Sequence, residues 1–455
     1  MSEEQNAPWP IHLRRRPEHS SYLVIRMEAA LRQAASAGAD AAAREKRARI
    51  AGVLEAHGLD LQPLVTSVPG ERVLRFESRV VQLPSRPSLT DYWRIDARHL
   101  EAARLVEVER ALTALPGVEL VYRERQPHEP VTAGNNVLSN QQLYLAAAPC
   151  GIDASWAHVQ GWDGSGMHFI DLERAWHLNH EDLSNPALIC NDNYALADQF
   201  EVRSHGTAAV SIATGADNGV GVVGVAPGVA SRRVASYWRA SDPAGHKHIA
   251  DALAAAIVAS PPPDVILIEA TLGRWALPVD SDAAVYLAVQ AAIGNGIVVV
   301  EAGGNEGTDL DAWTDALGNT PLKRSGQFDS GAIVVGAAES SGAHKRSSFS
   351  NFGSRIDCYA WGDSIVAAGY GDLDGDGSTS ASYTSRFGGT SGASAILAGA
   401  ALVLKGMLAA SRQPSDPETV RQLLAAAATG TPSVNGASDG IGVMPDLKAL
   451  IESLP

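Results

Sequence analysis

The sequence predicts an α/β protein: a doubly wound, mostly parallel sheet with helices on both faces, preceded by a small α+β domain of ferredoxin-like order. Three observations predict it. From about residue 144 onward, short apolar runs alternate with small-residue helical stretches, the order that produces a parallel sheet. Several of those runs, such as Val265-Ile266-Leu267-Ile268, lack polar alternation, as strands covered on both faces do. Before residue 130 the order is strand-helix-strand twice over, that of a split βαβ unit.

The elements follow from local signals. In the first part, Tyr22–Met27 is a short apolar strand and residues 28–58 are alanine-rich and helical in spacing. Strands are expected at 64–66, 73–76 and 89–95, with Pro69-Gly70 dividing the first two. A helix over 100–115 stops at Pro116-Gly117, and 118–122 forms the last strand. The expected organisation is a domain over 1–130, an exposed linker over 131–143 rich in Gly and Asn, and a second domain over 144–455. In that second domain, strands are expected at 167–170, 265–268, 297–300 and 332–335. Helices are expected at 205–214, 249–259, 283–295, 394–407 and 418–428, the last opened by Pro417 after Asp416.

Composition narrows the function. The chain has 455 residues, 45% hydrophobic and 19% charged, so it can bury a large core. A net charge of −15 disfavours nucleic acid and anionic membranes as partners. No apolar run is expected to reach membrane-spanning length. Cys150, Cys190 and Cys358 are too few and too scattered for a disulfide framework or a metal cluster. The polar start ending at Arg14-Arg15-Arg16 is followed by no apolar core of signal-peptide length. This predicts a cytoplasmic protein, the alternative being secretion by a non-standard route.

Chemistry concentrates around Phe387-Gly388-Gly389-Thr390-Ser391-Gly392-Ala393-Ser394. Two glycines permit a sharp turn before Ser391, and a helix begun there would aim free N–H groups and its positive dipole end at a developing negative charge. Asp171 closes the strand 167–170, where open parallel sheets collect functional groups. His205, in Ser204-His205-Gly206-Thr207, can take a serine proton while a carboxylate fixes its tautomer. Asn305, after two glycines past another strand, can donate an amide N–H to an oxyanion.

In the order Asp171, His205, Asn305, Ser391 the chain resembles the subtilisin-like serine endopeptidases, the subtilases. The resemblance spans about 141–450 and rests on Phe169-Ile170-Asp171, His205-Gly206-Thr207, Gly304-Asn305-Glu306-Gly307 and Gly389-Thr390-Ser391-Gly392-Ala393-Ser394. It implies a subtilisin-like fold and acyl transfer. Ser391 would be the nucleophile, His205 the general base and Asp171 the group that orients it, with Asn305 in the oxyanion hole. This sequence departs from the family at Leu172-Glu173 after the aspartate, at Ala208 in place of a second histidine, and at Ala395 in place of proline.

The resemblance also implies that 1–130 is a propeptide that assists folding and inhibits the enzyme, which would be made as a self-processed zymogen. Thr271, Leu272 and Gly273 would line the substrate, pairing with an extended polypeptide. One of Glu269, Glu301 or Glu306 is expected to face the first specificity pocket and favour Arg or Lys. Asp372, Asp374 and Asp376 alternate as in the start of a calcium loop, although Tyr383 stands where a closing acid would. By the resemblance, Asp182 and Asn218 would hold structural Ca2+; no organic cofactor is expected. His177, His180 and Glu181 read as a surface turn, and His246-Lys247-His248 as solvated. The expected state is a monomer. The rival readings are a catalytically inactive subtilase-like binding domain and the serine-carboxyl peptidases, against which His205 argues.

Overall fold

The computed structural model describes residues 22–454 except 32–39, 79–86, 125–126, 129–138, 190–193, 243–246, 316–317, 325–328 and 374–378. The first four strands are β1 (Tyr22–Met27), β2 (Leu61–Pro63), β3 (Tyr92–Asp96) and β4 (Val118–Arg123). They form an antiparallel sheet in the order β2-β3-β1-β4, with helices α1 (Ala41–Glu55), α2 (Gly70–Glu77) and α3 (Ala102–Thr113). This is the ferredoxin-like order that the sequence predicts. Strand β1 is buried on both faces. Leu23, Ile25 and Met27 join Ile50, Leu54, Val108 and Leu112 of α1 and α3. Val24, on the opposite face by the period of two, joins a core shared with the rest of the chain.

Residues 73–76, expected as a strand, lie in α2. Val73 and Phe76 are three apart and bury one helical face, and Asn295 Nδ2 donates to Phe76 O (3.0 Å). Four residues are too few for apolar content alone to separate strand from helix. The strand expected at 64–66 forms three residues earlier, as β2.

Residues Pro127–His128 form a two-residue strand, β5. The second part opens with α4 (Ala154–Val159), β6 (His168–Glu173), β7 (Ala187–Leu188), α5 (Phe200–Thr214) and β8 (Ser231–Ser236). Then come α6 (Ile249–Ile257), β9 (Val265–Ile268), β10 (Thr271–Leu272), β11 (Leu277–Pro278), α7 (Ala283–Gly294) and β12 (Val298–Ala302). Strands β13 (Ile333–Ala338), β14 (Cys358–Trp361), β15 (Ile365–Ala368) and β16 (Tyr383–Phe387) lead into α8 (Gly389–Ala410). The chain ends with α9 (Pro417–Leu424), β17 (Thr431–Pro432), β18 (Val443–Met444) and α10 (Leu447–Ser453).

Among the described residues the large sheet has the order β17-β18-β14-β13-β12-β9-β6-β8-β7, parallel except for β17 against β18. Helices α5 and α8 pack on one face, α6 and α7 on the other. The chain runs from β6 outward to β8, then returns across β6 to β9. That reversal is the switch point where open α/β sheets bind ligands, between the carboxyl ends of β6 and β9.

Two helices begin earlier than expected. Helix α5 starts at Phe200, not His205, behind Gln199, whose side chain makes no capping bond. Without a Ser, Thr, Asp or Asn cap the start carries no sequence signal. Helix α8 starts at Gly389 and is 22 residues long, apolar enough to cross a membrane by length and composition. The expectation of no such run is corrected here: α8 is the core helix, buried along most of its length. Strand β8 escapes detection because Arg232 and Arg233 interrupt it. The Arg232 guanidinium leaves the sheet to reach Thr214 O and Pro227 O, both at 2.5 Å.

A buried ionic network ties the sheet's other end together. The Arg355 guanidinium contacts Asp280 Oδ2 (2.5 Å) and Asp357 Oδ2 (3.3 Å). Asp357 also accepts from Arg421 Nε (2.8 Å) and from the Val334 backbone (2.9 Å). Removing the central cation leaves buried Asp280 without its guanidinium and Asp357 with Arg421 and Arg324 alone, so Arg355→Met should lower stability by about 3–5 kcal/mol, read as a shift in urea midpoint.

Candidate active site

Glu173 is the last residue of β6, at the switch point. Its Oε2 lies 2.5 Å from His205 Nδ1. Its Oε1 accepts from the Tyr237 hydroxyl (3.0 Å), and Tyr237 also donates toward Glu269 O (3.2 Å). The carboxylate that meets the imidazole is therefore Glu173, and the expectation that gave this contact to Asp171 is corrected. Asp171 lies on the same face of β6, one pleat further from the strand's end. It is fully buried, and its Oδ2 accepts from Trp176 Nε1 (2.7 Å). Burial first, then the charges of Glu173 and Glu269, hold its pKa well above the ordinary range. The period-two alternation that selects Asp171 selects Glu173 equally, and proximity to the strand's carboxyl end distinguishes them.

The approach of α5 to β6 depends on Gly206. A Cβ there would stand 2.4 Å from Ala175 O and 2.7 Å from Glu173 Cγ. Any larger residue would push His205 away from its carboxylate. The imidazole ring also meets Phe387 edge-on, with centroids 5.1 Å apart. Phe387 ends β16 and leads through Gly388 into α8, so one side chain links the histidine to the serine turn.

Ser391 is the third residue of α8, inside the first turn, where backbone N–H groups have no helical acceptor. Asn305 comes to it from β12. The Asn305 Oδ1 accepts from Thr390 N (2.8 Å) and from Thr390 Oγ1 (3.1 Å). With the oxygen thus engaged, the Nδ2 side of the amide is left to donate, an orientation assigned from the bonding pattern. Gly304, at φ +110°, makes the turn possible: a Cβ would stand 1.7 Å from Ala276 O. Asn351 pins the same loop, donating from Nδ2 to Gly303 O (3.0 Å) and Ala276 O (2.8 Å).

Thr271 and Leu272 form β10, and Gly273 turns the chain at φ +64°. Strand β10 pairs with β11 on one edge and β5 on the other, both antiparallel: Thr271 opposite His128 and Leu272 opposite Pro127. The expected substrate strand is thus already paired with an extended segment of the same chain.

The three acids expected near the specificity pocket separate. Glu269 is buried, with its Oε1 2.7 Å from Ser394 Oγ. Glu301 accepts from Asp280 N (3.2 Å), and burial with the Asp280 charge raises its pKa. Glu306 is exposed, next to Asn305.

Of the expected calcium ligands, Asp374 and Asp376 lie outside the described residues. Asp372 contacts the Ser385 backbone (3.4 Å) and Arg386 (3.4 Å). Asp182 and Asn218 do come together around one loop. Asp182 Oδ2 accepts from Val222 N (2.8 Å), and Asn218 Nδ2 donates to Glu181 O (2.9 Å). Among the described residues no group of three His, Cys, Asp or Glu could hold a metal.

His177 and His180 are buried rather than on a surface turn, at 3% and 1% exposure. His180 Nδ1 accepts from Asp182 N (3.2 Å), which leaves Nε2–H to donate to Ser382 O (2.8 Å). Lys247 and His248 are likewise buried, and His246 lies outside the described residues.

Residues 177–443 match the model of the Subtilase family. That match begins after β6, so it covers His205, Asn305 and Ser391 but neither acid. Subtilisin of Bacillus pumilus is 30% identical over 256 residues, 56% of this chain and 82% of that protein. Subtilisin E of Bacillus subtilis is 28% identical over 316 residues, 68% of this chain and 71% of the relative. Among solved structures, fervidolysin from Fervidobacterium pennivorans, a keratinolytic enzyme related to subtilisin, aligns with a TM-score of 0.61 at 17% identity. That alignment covers 95% of this chain, which spans 61% of the fervidolysin chain. A protease from Pseudoalteromonas arctica aligns at 0.51 with 20% identity, over 70% of this chain and 98% of its own.

The two acids of β6 make different predictions. Glu173→Gln should lower kcat by about 10⁴-fold, because the imidazole loses the partner that fixes its tautomer and steadies its charge. Asp171→Asn, which keeps a hydrogen bond to Trp176, should change kcat by less than about tenfold. Peptide-anilide kinetics on both variants measure the contrast.

Proposed function

The chain belongs to the subtilase family of serine peptidases, and from that premise we propose that it is an endopeptidase acting through an acyl-enzyme. The observation that carries this reading is the Glu173–His205 hydrogen bond at the switch point, beside the first turn of α8. With Nδ1–H donated to the carboxylate, His205 offers Nε2 as a base. Ser391 Oγ attacks a peptide carbonyl as its proton passes to Nε2. The oxyanion is received by Asn305 Nδ2 and the Ser391 N–H. His205 returns its proton to the leaving amine, and water then repeats the sequence on the ester. A fluorophosphonate probe should label the protein and fail on Ser391→Ala. Absence of label on the wild-type protein would favour the inactive binding domain.

The N-terminal unit is proposed as a cleavable inhibitor. Its connection lies on β10 through β5, where an extended substrate would pair. It also docks through Asp251 of α6, which accepts from Thr66 N and Ser67 N, both at 2.9 Å. Purified protein should therefore show self-cleavage between residues 128 and 144 by mass spectrometry, and Ser391→Ala should stay intact. An uncut wild-type chain with full activity would remove the zymogen from this reading.

Structural calcium is proposed at Asp182. Its Oδ1 is buried and meets no hydrogen-bond donor among the described residues, an oxygen that a cation would complete. Chelator should then lower Tm by several degrees, and Asp182→Asn should abolish the response. A melting curve indifferent to chelator and to added calcium would dismiss the ion.

A further inference from the structure

The mechanism leaves one buried acid at the nucleophile unused. Glu269 follows β9, across the switch point from Glu173, and its N–H bonds to Leu172 O of β6 (3.1 Å). It is 4% exposed. Its Oε1 lies 2.7 Å from Ser394 Oγ, one turn of α8 after Ser391, whose side chain bears on the same carboxyl. Its Oε2 meets no donor among the described residues. The titratable groups around it are Asp171 and Glu173 of β6, His205 of α5 and Tyr237 after β8, whose hydroxyl lies between Glu173 and the Glu269 backbone.

On the reading that Ser391 is the nucleophile, we propose that Glu269 is a positioning residue for it, present as a neutral carboxylic acid in the working enzyme and disabling the serine when it ionises. The hydrogen count supports this. Ser394 has one O–H and three acceptors in reach: Glu269 Oε1 (2.7 Å), Thr390 O (2.8 Å) and Ser391 O (3.0 Å). A serine inside a helix commonly gives its proton to the carbonyl four residues back, here Thr390. The short approach of Oε1 is then satisfied by a proton on Glu269, donated to Ser394 Oγ. The neutral acid leaves the Ser391 proton for His205. The ionised acid accepts instead, from both hydroxyls, and holds the proton that His205 needs. It also sets a negative charge beside the forming oxyanion, against the stabilisation that Asn305 supplies.

Burial is the main cause that drives the Glu269 pKa up, opposed by the nearby His205 charge and reinforced by Glu173, to about 8. Ionisation therefore falls on the alkaline side of neutrality. The group is neutral below that value and charged above it, so activity is retained at neutral pH and lost as pH rises.

The test is the pH profile of kcat for the full-length protein, with fluorophosphonate labelling rate as a second readout and circular dichroism at each pH to verify folding. The quantity compared is the neutral-to-alkaline ratio within each protein. Wild type should lose at least about tenfold in kcat between pH ~7 and pH ~10, and Glu269→Gln, which cannot ionise, less than about twofold. Ser394→Ala, which removes a donor that favours the charged form, should displace the fall to higher pH, and it decides the matter if the Gln variant does not fold. An unchanged alkaline fall in Glu269→Gln, or an unmoved midpoint in Ser394→Ala, overturns the proposal. A wild-type protein that never labels at Ser391 at any pH overturns instead the peptidase reading beneath it.

Discussion

The burial of α8 constrains everything around it. A 22-residue helix with almost every early position buried must pack against the sheet on one side and α5 on the other. Small residues make this possible: a Cβ at Gly399 would stand 2.4 Å from Val225 Cβ, so the helix is held at a separation only glycine permits. Because α8 cannot slide without opening that contact, its first turn is fixed relative to β6 and β9. The same packing sets α5, which carries the histidine. The site's precision is thus a consequence of core packing, with loops contributing little beyond Asn305.

Around that fixed turn the protein gathers three carboxyls within one buried region: Asp171, Glu173 and Glu269. Mutual repulsion and desolvation prevent all three from being charged together. Glu173 is the one with the imidazole to compensate it, while Asp171 and Glu269 have their pKa values raised. Separation of ionisation states among neighbouring acids is how one region assigns different tasks to chemically similar groups. Trp176 on Asp171 and Ser394 on Glu269 give each raised acid its own neutral partner.

The N-terminal unit engages the second part by two different means. Apolar residues of β1 and α2 continue the core that covers α6 and α7. Polar contacts converge on single acids: Asp251 receives Thr66 and Ser67, and Asp242 receives Tyr22 Oη (2.6 Å) and Arg98 Nη1 (2.6 Å). The segment that follows, β5, extends this contact onto β10 through backbone pairing alone. Backbone pairing makes few demands on side chains.

Local patterns in the sequence encode the layer order and the parallel sheet, and they single out Ser391, His205 and Asn305 as candidates for the site. Apolar runs without alternation, bounded by turn residues, fit strands covered on both faces; glycines mark the approach to Asn305 and to Ser391 in the first turn of α8, whereas His205 lies inside α5. Local patterns also encode the ferredoxin-like order of the first part, though not the helix over Val73 and Phe76, whose type was decided by docking against α7. Which acid faces His205 is a matter of packing between distant segments. Asp171 and Glu173 share a strand face, and the distance that separates their roles is set by how closely Gly206 lets α5 approach the strand's end. The same is true of Glu269. Its place beside Ser394 comes from the neighbouring of β9 and β6, a long-range pairing that no local pattern encodes.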